Sequence, residues 1–518
     1  MTRESLKDVA IALSVANLCL LGTWQRLIFA NAADRFLMRH HTSPDFLAVL
    51  LNVLLLSTFF WTLLIIGRRS TNKAVSAIFR WLPILSPLFP LIRFVGVTFD
   101  NSNRLMMRMG RVPVVLLAGV CGMLLVYAIF HWRRRLRFVA ELCLLAAFPL
   151  VLATSSQAAW FLLTRKPVTK VEDGYTTKPL ITRSNAPRVV WLVFDEMDQR
   201  LSFLERPSTV SLPELDRLRS QSFYAVNASA AGDHTDRSMP AQITGRRVTN
   251  SEPGGADELM VNFENEKQPV PWSAQPTIFK QAHEAGLNTA IVGWYLPYCR
   301  IFQDLFTSCF WQPFGDPVND RESTSGAMLR ELRAMVPFLT RNDHIREYQS
   351  LLHQATKVVA DPTFNLVLVH LPVPHAPPIY DRKTGKFTIT TVGTNWYLDN
   401  LALADHALGE LRQSMQSAGV WDNTTVLLSS DHPWRRSSIF DDKKDNRVPF
   451  IVKIAGHSES VRYEGAFNNV VSHDLLLNVL DGKISDPTSL ANWLQEPASA
   501  QRDSEGPRIQ VRGQTNKP

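Results

Sequence analysis

The chain has 518 residues, 46% of them hydrophobic, and its 55 Lys and Arg against 47 Asp and Glu leave a formal charge of +8 at neutral pH. That length gives room for two or more domains. The basic excess does not argue for nucleic acid, because it is concentrated in short loops between apolar runs, the pattern of membrane topology. Nothing in the sequence indicates a nucleotide or nucleic-acid partner.

Up to Leu163 the chain is strongly apolar and nearly free of acids. Five stretches, 9–27, 46–67, 79–97, 112–132 and 138–163, are long enough to cross a bilayer as helices. The third carries Pro83, Pro87, Pro90 and Arg93, so it also reads as a re-entrant or interfacial segment. Charge placement favours counting it as a span. The loop with Arg68, Arg69 and Lys73, extended by Arg80, and the loop with Arg133, Arg134, Arg135 and Arg137 both belong on the cytoplasmic side, which requires an even number of crossings between them. The N-terminus is then inside, and everything after Leu163 lies on the periplasmic or extracellular side of the cell (inner) membrane. A cleavable signal peptide ending near Ala30-Asn31-Ala32 is the competing reading, opposed by the length of the apolar run and by Arg26.

Residues 164–187 are polar and read as a linker, 188–496 as a globular domain, and 497–518 as a disordered tail. Within the domain, apolar β-branched runs at 188–194, 288–293, 364–369, 424–430 and 448–454 read as buried strands, and 223–230 as a strand or extended segment. Helical patterns fall at 209–221, 277–285, 315–348, 396–419 and 474–480. This alternation predicts an α/β domain with a mainly parallel sheet and helices on both faces. Cys299 and Cys309 share one segment of it and are candidates for a disulfide in an oxidising compartment.

Three of these strands deliver metal-type ligands at their ends: the first Asp195 and Glu196, the second His370 followed by His375, the third Asp431 and His432. Between the first and second, 232–246 reads Gly-Asp-His-Thr-Asp-Arg-Ser-Met-Pro-Ala-Gln-Ile-Thr-Gly-Arg, which sets Thr235 at a helix start. Unpaired N–H groups and partial positive charge there stabilise an attacking oxygen or an oxyanion. Alone, such a Thr is most often a cap, and a lone His375 or His432 is a core or turn histidine. In combination they describe a site at the carboxyl edge of an α/β sheet, where ligands are expected.

On these residues the soluble part resembles the alkaline phosphatase superfamily, in its sulfatase-like branch, from about 188 to 456. Five blocks carry the likeness in order: the strand ending in Asp195-Glu196, Thr235 with Ser238-Met-Pro240 and Thr244-Gly245-Arg246, His370 to Tyr380, Trp421 to His432, and Val448-Pro449-Phe450. The resemblance implies that Asp195, Thr235, Asp431 and His432 hold a divalent metal, with Glu196 as a further candidate ligand. The mixed donor set suits zinc or manganese better than calcium. It also implies Thr235 as nucleophile, His375 as a contact to the transferred group or a proton donor, and Arg246, Arg237, Ser238 and Arg435 as substrate-binding residues. The chain departs from the family where Pro433-Trp434-Arg435 replaces the usual Gly after the Asp-His pair, and no second histidine is evident downstream, so a second metal is not expected. Thr235 cannot become formylglycine, which disfavours sulfate-ester hydrolysis by that route.

The activity implied is that of a membrane-anchored transferase similar to phosphoethanolamine and phosphoglycerol transferases. It would move a phospholipid-headgroup phosphoryl unit through a phosphothreonine to a hydroxyl on a lipid or surface glycan. The alternatives are a phosphodiesterase, phosphatase or sulfuric ester hydrolase, or an inactive membrane scaffold of the envelope.

Overall fold

The structure is a computed structural model that describes residues 3–98, 111–164, 174–180, 186–315, 323–390, 395–496 and 509–511. It forms two compact units. One comprises Met1–Ala30, His41–Thr169 and Arg321–Pro337, the other Asn31–His40, Lys170–Asp320 and Phe338–Pro518.

The first unit is helical. Ser43–Arg69, Lys73–Ile92 and His131–Thr164 are long and apolar enough to cross a membrane, and Arg3–Cys19 with Leu21–Leu27 makes a fourth candidate broken by a 62° bend. Length and composition therefore support three or four crossings among the described residues, where the sequence counts five. The expected span 112–132 lies in the helix Arg111–Ala146, and most of its side chains fall outside the described residues. The stretch 315–348, expected as one helix, is divided at the 3₁₀ turn Pro337–Thr340. Its first part, Thr324–Ala334, packs along Ser43–Arg69, where the Asn52 amide donates to the Glu331 carboxylate at 2.8 Å and Arg330 pairs with Asp45 at 2.7 Å.

The second unit is built on a nine-stranded sheet. In chain order the strands are β1 Gly174–Thr176, β2 Val189–Phe194, β3 Phe223–Ala225, β4 Thr289–Trp294, β5 Ser308–Gln312, β6 Leu366–Leu371, β7 Thr425–Ser429, β8 Phe450–Lys453 and β9 Val461–Tyr463. Across the sheet they lie in the order β1, β5, β4, β6, β2, β7, β8, β3, β9. The run from β5 to β7 is parallel, but β1 is antiparallel to β5, and β8 is antiparallel to both of its neighbours. The sheet is thus mixed, although five of its eight strand pairings, β3 with β9 among them, are parallel. β1 lies in the stretch expected to be a linker: Tyr175 pairs with Cys309, and its hydroxyl donates to the Phe302 carbonyl at 3.3 Å.

Period-two alternation along β2 explains why helices cover both faces. Val189, Trp191 and Val193 pack with Met239, Ile243, Ile278 and Leu475 from the helices Thr235–Thr244, Ile278–Glu284 and Ser472–Leu480. Val190, Leu192 and Phe194 pack on the opposite side with Tyr348, Leu351, Leu401 and Leu408 from Arg341–Ala360 and Trp396–Ser417. Each large apolar side chain buried this way contributes about 1.5–3 kcal/mol. Cys299 and Cys309 are disulfide-bonded. Of the expected tail, Ile509–Val511 pairs antiparallel with Lys443–Asp445, and the rest lies outside the described residues.

Candidate metal and nucleophile site

β2 and β7 are parallel neighbours with Val193 opposite Ser429, so the residues that follow them emerge side by side at one sheet edge. Ser430 ties the two strand ends together: its hydroxyl donates to the Phe194 carbonyl at 2.8 Å and accepts from the Met197 N–H at 3.0 Å. Glu196 turns the chain with a left-handed φ of 61°, which aims its N–H at Asp431 Oδ1, 3.1 Å away. The His432 N–H reaches the same oxygen at 2.8 Å. With Oδ1 occupied, Asp431 Oδ2 faces the third contributor, the helix Thr235–Thr244.

Thr235 is the first residue of that helix. Its hydroxyl lies 2.7 Å from Asp431 Oδ2, 3.2 Å from Asp195 Oδ2 and 3.5 Å from His432 Nε2. The His432 Nδ1–H donates to the Pro433 carbonyl at 3.1 Å, which leaves Nε2 as the lone-pair nitrogen facing the cluster. Ligand atoms of Asp195, Asp431 and His432 lie within 4.8 Å of one another, and all three residues are buried. Asp195 Oδ1 has no hydrogen-bond partner although it is fully buried. Two adjacent buried carboxylates with one orphaned oxygen form a donor set that a divalent cation completes.

The electrostatics agree. Burial, then the neighbouring Asp431, pushes Asp195 up to about 7. Asp431 is equally buried, yet His432, His370 and the Thr235 hydroxyl outweigh that burial and hold it below the usual carboxylate range. His370 stands behind Asp195, with Nε2 at 3.5 Å from Oδ2 and Nδ1 at 3.1 Å from the Tyr298 hydroxyl. Burial pushes it down to about 4, so it is neutral near pH 7.

The Sulfatase family model matches residues 187–481, more than half of the chain. The chain belongs to the sulfatase family. It is a sulfatase-like enzyme of the alkaline phosphatase superfamily, and sulfatase-family enzymes bind a divalent metal. Among solved structures it is similar to a phosphonate monoester hydrolase of Agrobacterium radiobacter (12% identity, 57% of this chain and 74% of that one, TM-score 0.40). It is also similar to an alkaline phosphatase superfamily protein from Vibrio parahaemolyticus (14%, 62% and 72%, 0.39) and to a sulfatase from Pseudoalteromonas sp. (15%, 60% and 74%, 0.40). No curated protein sequence matches the chain.

Beside the cluster opens a cavity of about 470 Å³, bordered by Thr235, Asp195, His375 and Arg435 among others. The His375 Nδ1 donates to the Ala376 carbonyl at 2.5 Å, so Nε2 is its free nitrogen, 3.5 Å from the Arg435 guanidinium. Arg435 also binds the Glu196 carboxylate at 2.8 Å, which occupies Glu196 with an ion pair instead of the metal cluster. Within the Pro433-Trp434-Arg435 segment, the Trp434 ring stacks on Tyr397 at 4.1 Å, and the Tyr397 hydroxyl donates to the Glu196 carbonyl at 2.8 Å.

The other residues expected at the substrate lie elsewhere. Ser238 is buried and donates to the Asp431 carbonyl, a supporting position beneath the site. Arg237 pairs with Asp233 at 3.3 Å and does not border the cavity. Arg246 follows the far end of the helix that begins at Thr235, paired with Glu266 and stacked over Phe263 at 3.8 Å. A helix of this length separates its ends by about 15 Å. His370, expected as a metal-type residue at a strand end, stands behind Asp195 instead, and Tyr298, to which sequence reading assigned no role, joins it through its place after β4.

Proposed function

We propose that this protein is a metal-dependent phosphotransferase anchored in the cell (inner) membrane, with its α/β domain on the periplasmic or extracellular side. The observation that carries the proposal is the Thr235 hydroxyl, set at a helix start within hydrogen-bond distance of carboxylates from two different strand ends. A formylglycine sulfatase has no use for a threonine there; a phosphoryl carrier does.

Asp195, Asp431, His432 and Thr235 would hold the cation, with zinc or manganese favoured by the imidazole. Bound there, it supplies charge neutralisation and lowers the pKa of the hydroxyl it contacts. Asp431 Oδ2 takes the Thr235 proton as Oγ1 attacks phosphorus in a phospholipid headgroup. The Oγ–P bond forms, the bond from phosphorus to the diacylglycerol oxygen breaks, and a His375 that enters the cycle protonated at both nitrogens delivers its Nε2 proton to the leaving oxygen. In the second step His375 Nε2 takes the proton of an acceptor hydroxyl on a lipid or glycan as that oxygen attacks phosphorus, the Oγ–P bond breaks, and Asp431 Oδ2 returns its proton to Thr235 Oγ1. Arg435 and the N–H groups at the helix start stabilise charge on the equatorial oxygens. Anchoring raises the effective concentration of lipid donors, which favours transfer over hydrolysis.

The test is to supply purified full-length protein with a phospholipid labelled in its headgroup phosphate, in the presence of zinc or manganese. Label on an acceptor lipid or glycan supports transfer, label in a water-soluble product supports the phosphodiesterase reading, and no turnover with no bound metal supports the scaffold.

A further inference from the structure

The proposed reaction leaves one wall of the cavity unexplained. It is supplied by the short helix Ala32–Leu37, which belongs to the connection between the first two apolar stretches yet packs in the second unit. Phe36 is buried in the core there, and the carbonyls of Phe36 and Met38 accept from the Arg300 guanidinium, the latter at 3.0 Å. Arg300 in turn follows disulfide-bonded Cys299 and stacks over Trp311 at 4.8 Å. The wall is therefore pinned to the rigid part of the domain, and it presents Asp34 to the same cavity as Thr235.

A carboxylate at a phosphate site repels the group the site must bind, unless the substrate also carries a cation. The remaining lining supplies both halves of such a substrate. Arg435 and Arg436 are suited to phosphate oxygens, and Trp294, Tyr295 and Phe314 supply the aromatic faces that attract an ammonium. Trp294 and Phe314 flank the His375 ring at 5.3 and 5.9 Å, next to the proton-transfer atom. Asp236, beside the nucleophile, is the other unpaired carboxylate among the cavity's described residues, but the start of its own helix offsets its charge. Asp34 also stands in the first turn of its helix, but that helix has only six residues against the ten of the helix that carries Asp236.

We propose that Asp34 is a specificity-determining residue that selects a zwitterionic headgroup, a phosphodiester bearing a primary ammonium, over an uncharged polyol headgroup. This rests on the reading of the cavity as a phosphodiester site, and it is tested by binding so that it stands or falls apart from transfer. In full-length Thr235→Ala protein, which cannot turn substrate over, the affinities of glycerophosphoethanolamine and glycerophosphoglycerol are compared. The ammonium diester should bind about tenfold more tightly. Asp34→Asn and Asp34→Lys should erase that preference and Asp34→Glu should keep it, which separates loss of charge from loss of folding. Equal affinities, no binding of either diester, or a preference that survives Asp34→Asn overturns the inference. An Asp34-dependent preference without any headgroup transferred to wild-type Thr235 would leave the inference standing and overturn the transferase reading instead.

Discussion

At the residue scale, Asp431 divides its two oxygens between two tasks. Oδ1 is held by the N–H groups of Glu196 and His432, and Oδ2 meets the Thr235 hydroxyl. Asp431→Asn keeps the size but removes the charge, and it is expected to lower metal affinity at least about tenfold, read by elemental analysis after dialysis against limiting zinc or manganese. Arg435 and Arg246 make a paired prediction. Arg435→Ala removes both a cavity cation and the partner of Glu196, and should lower kcat/KM for the phosphodiester by roughly tenfold or more. Arg246→Ala, remote from Thr235, should cost no more than about 1 kcal/mol of stability and leave kcat/KM within about twofold. Equal losses from the two variants would contradict the placement. The identities of Asp195, Thr235, Asp431 and His432 were legible because each ends a strand or starts a helix. Arg246 and Arg237 misled because charge near a nucleophile in the sequence says nothing about which way a helix carries it.

At the scale of elements, the helix that begins at Thr235 ends at Gly245, which adopts a left-handed φ of 68°, and a Cβ there would stand 2.8 Å from His473 Nδ1. Gly245→Ala should therefore destabilise the domain by more than about 1 kcal/mol, seen as a lower denaturation midpoint. Asp405 caps the helix Pro213–Ser220 from a neighbouring helix by accepting the N–H groups of Glu214 and Leu215 at 3.3 and 2.8 Å. Burial raises it from the usual 3.8 to about 6, against the lowering effect of those N–H groups. The folded state then keeps a proton that the unfolded chain has already lost, so stability falls as pH rises from about 4 to about 6. Asp405→Asn should flatten that slope while giving up one of the two cap hydrogen bonds, measured as denaturation midpoint against pH. The central strands were readable from their continuous apolar runs. β1, β5 and β9 were not, being edge or near-edge strands that lack such runs and depend on partners distant in sequence.

At the scale of the whole molecule, the apolar first third and the globular remainder are plain in the composition, but contacts do not divide the chain at one point. Arg321–Pro337 clusters with the apolar helices, and Asn31–His40 with the α/β domain. No periodicity could announce either exchange, because each depends on polar pairs such as Asn52 with Glu331 and Arg300 with the Met38 carbonyl. The proposed topology predicts that single cysteines placed at Arg69 and Arg134 react with a membrane-impermeant maleimide only after the cytoplasmic face is opened, and one at Glu459 without opening it. Labelling of all three in intact cells would contradict it.

The central claim, a metal-assisted Thr235 nucleophile that carries a headgroup phosphoryl unit, meets its most direct test in intact-mass analysis of the metal-loaded protein after incubation with phospholipid vesicles. The account predicts a covalent headgroup-phosphoryl adduct that maps to Thr235 and is absent from Thr235→Ala. An adduct that persists in Thr235→Ala, or none on wild-type protein that demonstrably turns over lipid, would contradict it.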